Sequence, residues 1–306
     1  MTAAPTEDDL LQTFVPDGDV PLAVRIHRPP GAGTNRQPAV VVMGSWLTVK
    51  EQMADTYAAA LAEQGFTAVT FDFAGFGASG GVLRQAEIPV RKIRNLAAVV
   101  DFMRTLSVVD PGKLGVLAVC ASAQYALGAL ARGLPVGSFV SVAGWFHDLA
   151  TVAPFYGGGD GVAERLRRST IASRTFAESG DLSLVPAYGP GDDTAGMSME
   201  MDYYASPERG NVPQWRNEMS EMSWAHWLQY DAFAAAEGVR VPSLFVHSDD
   251  AVLPDNVRRL ADELGELATV SWTDGAQTDF YDQRQQVDHA ITAAVNHFTN
   301  IWEKSS

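Results

Sequence analysis

The sequence predicts an α/β protein: a mostly parallel, doubly wound sheet with helices on both faces and one inserted helical cap. Three observations carry this expectation. Short continuous apolar runs, such as Ala39-Val-Val-Val-Met43 and Val116-Leu-Ala-Val119, alternate with segments of helical period. The loops between them are short, as parallel strands joined by helices require. The alternation fails once, between about residues 146 and 235, where Pro, Gly, Met and aromatic residues accumulate.

The elements follow in order. Residues 11–30 alternate polar and apolar, with Leu22, Val24 and Ile26 in step, and predict an opening antiparallel hairpin. Residues 39–43 form a strand that runs into Gly44, Ser45 and Trp46. A helix follows over 50–64, with Met53, Tyr57, Ala60 and Leu61 on one face and Gly65 as its stop. Residues 68–72 are the next buried strand, and a helix over 88–106 begins with Pro89 in its first turn. Further strands are expected at 114–119, 139–143, 244–247 and 270–272, and an amphipathic helix at 287–302. The core is thus 1–145 with 236–306, and the cap is 146–235. Within the cap the chain carries Gly157-Gly-Gly-Asp-Gly161, then a helix expected over 162–178 and a Pro/Gly-rich stretch over 184–214. Met197, Met199, Met201, Tyr203, Tyr204, Met219, Met222, Trp224 and Trp227 supply an adaptable surface for an irregular apolar ligand, unless they only pack the cap onto the core.

Composition narrows the function. At 306 residues and 46% apolar content the chain can bury one large core, and 19% charged residues mark it as globular. A net charge of −15 argues against nucleic acid and against an anionic membrane surface. One cysteine excludes an internal disulfide and a thiolate zinc site, and fits a reducing interior. The first nine residues are acidic and lack an apolar signal core, and no apolar run approaches a membrane span. The expectation is a soluble, cytoplasmic protein with no cofactor and no metal. Its expected partner is a small-molecule substrate, and a homodimer is left open.

The chemistry centres on Val116-Leu-Ala-Val-Cys-Ala-Ser-Ala-Gln-Tyr125. An apolar strand delivers Cys120 into small residues, and a helix starts at once, which is the pattern of a nucleophile elbow. So tight a turn needs tiny side chains two before and two after the nucleophile, and Ala118 and Ser122 stand there. The alternative is a structural cysteine buried at a strand–helix junction.

Several stretches resemble, in one order, the α/β-hydrolase superfamily. Val42-Met-Gly-Ser-Trp-Leu-Thr-Val-Lys-Glu-Gln-Met53 looks like its oxyanion loop and first helix, and Asp72-Phe-Ala-Gly-Phe-Gly-Ala-Ser-Gly80 like its D-x-R-G-x-G-x-S segment. The Cys120 elbow comes next. His247-Ser-Asp-Asp-Ala-Val-Leu-Pro254 resembles the acid loop, and Gly275-Ala-Gln-Thr-Asp-Phe-Tyr-Asp282 the loop that carries the histidine. The likeness is to a bacterial branch with a cysteine elbow, related to dienelactone hydrolases and polyketide acyltransferases. It implies the α/β-hydrolase fold, Cys120 as nucleophile, Asp250 as acid (Asp249 competing), and an oxyanion hole from Ala121 and from Ser45 or Trp46. Gly75, Gly77 and Gly80 with Asp101 also fit a dinucleotide fingerprint, but the helix such a motif should open begins too late.

The departure is the histidine: Gln277 occupies its position, and an amide cannot accept and return a proton near neutral pH. Of six histidines, His27, His289 and His297 are expected away from the site and His247 in a structural hydrogen bond, which leaves His147 and His226 as stand-ins. Tyr203, Trp224, Trp227 and Phe280 are the expected substrate contacts. An unassisted cysteine has a pKa of about 8.5, so only a few per cent is thiolate at pH 7. Hydrolysis without a base also forfeits roughly 10²- to 10⁴-fold. The expected function is therefore a non-hydrolytic reaction on a carbonyl-bearing, polyketide-like or other secondary metabolite: conjugate or aldol-type addition, cyclisation or C–C bond formation. A Cys120-dependent hydrolase, thioesterase or acyltransferase with a relocated histidine is the alternative, and a catalytically dead binding protein the third reading.

Overall fold

The protein, here a computed structural model, is described over residues 10–304, so the acidic amino-terminal stretch read for a signal core lies outside the described residues. The chain opens with β1 (Leu10–Asp17) and β2 (Val20–His27), an antiparallel hairpin turned at Gly18. β3 (Gln37–Met43), α1 (Met53–Glu63), β4 (Thr67–Phe71), α2 (Pro89–Thr105), β5 (Val109–Val119), α3 (Ser122–Leu130) and β6 (Ser138–Val142) then alternate. The helix expected from residue 50 starts three residues later. Lys50 and Gln52 are occupied instead in the preceding turn, where the Gln52 Oε1 accepts from the Val49 N–H and Lys50 binds Asp72.

Between β6 and the next strand of the sheet the chain makes short elements and one long helix. These are α4 (Leu149–Val152), α5 (Gly158–Ser179), β7 (Leu184–Val185), α6 (Asp202–Ala205), β8 (Met219–Ser220), α7 (Ser223–Leu228) and α8 (Ala232–Ala236). The helix expected from residue 162 starts four residues earlier, so Gly158, Gly159 and Gly161 lie inside α5, whose amino end is set by Gly157 in the left-handed region at φ 82°. Alternation resumes with β9 (Ser243–His247), α9 (Pro254–Leu264), β10 (Ala268–Trp272), α10 (Asp279–Asp282) and α11 (Arg284–Lys304).

The sheet order is β1-β2-β4-β3-β5-β6-β9-β10; β3 to β6, β9 and β10 run parallel, and the hairpin adds antiparallel strands at one edge. Helices α1 and α11 contact each other on one face, while α2, α3 and α8 form a contiguous row. Strands β4, β6 and β9 are buried at every position, which is why they read as apolar runs rather than alternating ones. The carboxyl ends of β3, β5, β6 and β9 therefore meet at one edge, where open α/β sheets place their ligands. Among the described residues no helix is long and apolar enough to cross a membrane.

Candidate active site

Cys120 sits in the bend after β5, with φ at 55°, a conformation that costs a non-glycine residue about 1–3 kcal/mol. The bend is held from both sides: the Cys120 N–H donates to the Val142 carbonyl, and the Cys120 carbonyl accepts from Ala123 and Trp145. Ala118 and Ser122, with no exposed surface, leave room for it. Four of the five non-glycine residues with positive φ gather here among the described residues. Leu47 follows Trp46, Ala143 ends β6 against Gln277, and Leu253 follows Val252. Strain of this kind concentrates where the surrounding structure must hold a functional geometry.

The loop after β3 is clamped from two directions. The Leu47 N–H points at Glu87, and its carbonyl accepts from the Trp215 indole at 2.8 Å. Glu87 is itself buried, paired with Lys92 at 2.7 Å and bonded by the Tyr125 hydroxyl at 2.7 Å. Lys50 pairs with Asp72 at 2.8 Å. Gly77 wraps Asp72 so closely that a Cβ would lie 2.3 Å from the carboxylate, and Asp101 is exposed on α2 beside Arg104. The glycine-rich stretch thus encloses a carboxylate and leaves no phosphate cradle.

A cavity of about 260 Å³ opens over Cys120. Of the sequence candidates it gathers Ser45, Trp46, Cys120, Ala121, Trp227, Asp250 and Gln277. Tyr204, Tyr281, Trp145 and Tyr156 join them, with Met197, Met199 and Met201. Trp46 stacks on Trp227, centroids 4.6 Å apart. The lining carries the carboxylates of Glu200 and Asp250 and no Lys, Arg or His. Burial pushes the Cys120 thiol pKa up; the Ser45 and Tyr281 hydroxyls, the Ala121 N–H and the Gln277 amide pull it down without reversing that. The sulfur is a thiol at neutral pH.

Gln277 is held by three hydrogen bonds. Its Nε2 donates to the Ala143 carbonyl at 2.9 Å and to the Tyr281 hydroxyl at 3.2 Å, and its Oε1 accepts from the Val252 N–H at 3.1 Å. Ser45 Oγ lies 3.3 Å from the Tyr281 hydroxyl.

Several expectations need correction. Asp250, expected as the acid that orients a histidine, is exposed at the cavity and makes no hydrogen bond or ion pair among the described residues. Asp249 is held by Arg258 and the Trp272 indole. His147 does not reach the cavity, because its Nδ1 accepts from the Trp145 indole at 2.7 Å and its Nε2 meets the Trp227 carbonyl at 2.9 Å. Burial lowers its pKa to about 4. His226 lies exposed on α7, outside the lining. Tyr203 packs edge-on against Tyr281, so its neighbour Tyr204 takes the cavity position. Trp224 is buried behind Trp46 and Tyr156. Phe280 is fully buried, its carbonyl taken by the Tyr57 hydroxyl at 2.7 Å, and Tyr281 lines the cavity instead. Tyr281 had one sequence signal: it stands four residues after Gln277 within the same stretch 275–282, and the turn leading into α10 brings the two side chains together.

Comparison with known proteins adds the family context. A family model described as X-Pro dipeptidyl-peptidase (S15 family) matches residues 17–267. The chain is 29% identical over 231 residues to the Escherichia coli K12 protein YcjY, covering 71% of this chain and 73% of that one. It is 31% identical over 209 residues to PA2218 of Pseudomonas aeruginosa, covering 66% of this chain and 55% of that one. The crystal structure of PA2218 superposes with a TM-score of 0.82 at 23% identity, over 95% of this chain and 93% of that one. A shorter likeness, 34% over 107 residues and 35% of each chain, is to the polyketide transferase claH of Penicillium crustosum.

Proposed function

The chain belongs to the X-Pro dipeptidyl-peptidase (S15) family, an α/β-hydrolase-type enzyme family, and from that premise we propose that it is an enzyme with a non-hydrolytic reaction at Cys120. The substrate is a carbonyl-bearing, largely apolar small molecule of polyketide-like character, and the reaction is an addition, cyclisation or C–C bond formation. The segment 146–235 serves as a cap over the thiol. The Ala121 and Trp46 N–H groups receive the carbonyl oxygen, Trp46 and Trp227 hold the conjugated or aliphatic body, and Gln277 fixes the loop that faces the sulfur. The cavity's two carboxylates and lack of cations favour a neutral substrate over an anionic one.

One observation carries this reading: all six histidines lie among the described residues, and none lines the cavity that holds Cys120. With a neutral thiol and no imidazole, neither water nor sulfur is readily deprotonated, whereas a carbonyl can still be bound and polarised. The likeness to a polyketide transferase favours a second reading, acyl transfer through Cys120 to an acceptor more nucleophilic than water.

Exposure to 4-nitrophenyl acetate separates these readings. The first predicts little nitrophenol release, and Gln277→His should raise release about 10²-fold by restoring a base. A durable acetyl adduct on Cys120, seen by intact mass and discharged by an added thiol, would favour acyl transfer. Rapid hydrolytic turnover by the wild type would refute the non-hydrolytic reading outright.

A further inference from the structure

The reading above leaves unused a group of hydroxyls beside the sulfur. Tyr204, on α6, is 2% exposed and lines the cavity, yet among the described residues nothing meets its hydroxyl in good hydrogen-bond geometry, although the Ser45 and Tyr281 hydroxyls lie close enough to favour its ionised form. Its polar neighbours are Ser45 and Tyr281. Thr67, Ser122, Ser138, Ser141 and Ser220 also bury hydroxyls without a partner among the described residues, but of this group Tyr204 alone lines the cavity, where an acceptor can arrive. Tyr281, on α10, accepts from Gln277 Nε2, so its own proton can go to Ser45 Oγ at 3.3 Å in the free protein and to a better acceptor that arrives beside it. Turning the Gln277 amide to present its oxygen instead would break its bonds with the Val252 N–H and the Ala143 carbonyl. Both phenols are buried, which raises their pKa values and keeps them neutral donors.

We propose that Tyr204 and Tyr281 are catalytic residues: two phenol donors, brought together from the segment over Cys120 and from the loop after β10, that bind the substrate oxygen on which negative charge develops. Their hydrogen bonds strengthen as that charge grows, and no proton leaves either phenol. The ligand class they select is an α,β-unsaturated carbonyl compound that becomes an enolate when a nucleophile within the substrate forms a bond to its β-carbon and the C=C π bond breaks, the nucleophile's proton ending on the α-carbon. Its flat body fits against the stacked Trp46–Trp227 pair. The proposal rests on reading the Cys120 cavity as the reaction site.

Binding of 4-nitrophenol tests it, because the absorbance of the bound ligand reports whether it is phenol or phenolate. Wild type should bind it with a larger ionised fraction than free solution shows at the same pH. Tyr204→Phe should weaken phenolate binding about 10- to 100-fold. It should also shift the bound ligand toward the neutral form while leaving the melting temperature unchanged or higher, since no hydrogen bond is lost in the free protein. Tyr281→Phe should shift the spectrum the same way, with a lower melting temperature from the lost Gln277 contact. Unaltered phenolate binding in Tyr204→Phe, or a wild type that binds no 4-nitrophenol, would overturn the donor pair. The probe does not react. A wild type that binds phenolate through Tyr204 while hydrolysing 4-nitrophenyl acetate rapidly would therefore sink the reaction reading and leave the donors standing.

Discussion

The two walls beside Cys120 differ in how they are held. The amino-terminal wall, the loop after β3, rests on buried charge: Glu87 with Lys92, and Asp72 with Lys50. The carboxyl-terminal wall, residues 247–281, is held by neutral groups: the Ser248 hydroxyl on the Gly275 carbonyl, the Gln277 amide and the Tyr281 hydroxyl. Its charged residues Asp249 and Asp250 are exposed. In the α/β-hydrolase pattern the carboxyl-terminal wall is the one that moves protons. Here the loop after β3 is rigidly backed by ion pairs, while the opposite wall offers neutral hydrogen-bonding groups, the Tyr281 hydroxyl among them. That contrast suits binding and polarising a carbonyl better than activating water.

The contrast can be broken most forcefully at Lys92. Its removal as Lys92→Met leaves Glu87 buried without its cation and should destabilise the fold by about 3–5 kcal/mol in urea unfolding. The double variant with Glu87→Gln should recover much of the loss. A single-variant cost under about 1 kcal/mol would show that the charge pair does not hold its wall.

Next in size is an acid-side loss of stability with no matching step in catalysis. Burial lowers the pKa values of His147 and His247 to about 4. Their unfolded values are near 6.5, so the folded state excludes protons between the two. The stability they contribute is complete above about pH 6.5 and drains away as pH falls toward 4, by ~3 kcal/mol for each ring. Melting temperature should follow that course, while kcat measured over the part of the interval where the protein stays folded should show no imidazole limb. A limb near pH 6.5 that disappears in His147→Gln would put that ring back into the reaction. The smallest expected effect is at Asp250. Exposed and without a protein partner, its change to Asn should alter stability by no more than about 0.5 kcal/mol. Its kcat should stay close to wild type; a fall of about 10²-fold would mark it as a working acid.

Much of this was legible in the chain. The sheet and its helices follow from runs such as 39–43 and 116–119, because strands covered on both faces must be apolar throughout. The elbow is legible because a tight strand-to-helix bend admits few side chains, and Ala118 and Ser122 satisfy it locally. The neighbours of Cys120 were less legible. Tyr203 and Tyr204, like Phe280 and Tyr281, are adjacent apolar aromatics, and which of each pair meets the cavity depends on the phase of a single turn of helix. Asp249 and Asp250 are equally ambiguous until Arg258 captures one of them. His147 could be judged only once both of its ring nitrogens had visible partners.

Residue types and their order determined the α/β architecture, the cysteine at the bend and an amide, Gln277, in the loop after β10, since each is a local consequence of side-chain size, period or chemistry. Tertiary structure alone decided that Asp250 faces water, that His147 is locked in the core, and that the hydroxyls of Tyr204 and Tyr281 converge on one sulfur. Those outcomes depend on contacts between segments as much as 236 residues apart, such as Ser45 with Tyr281, and no local pattern encodes the path that brings them together.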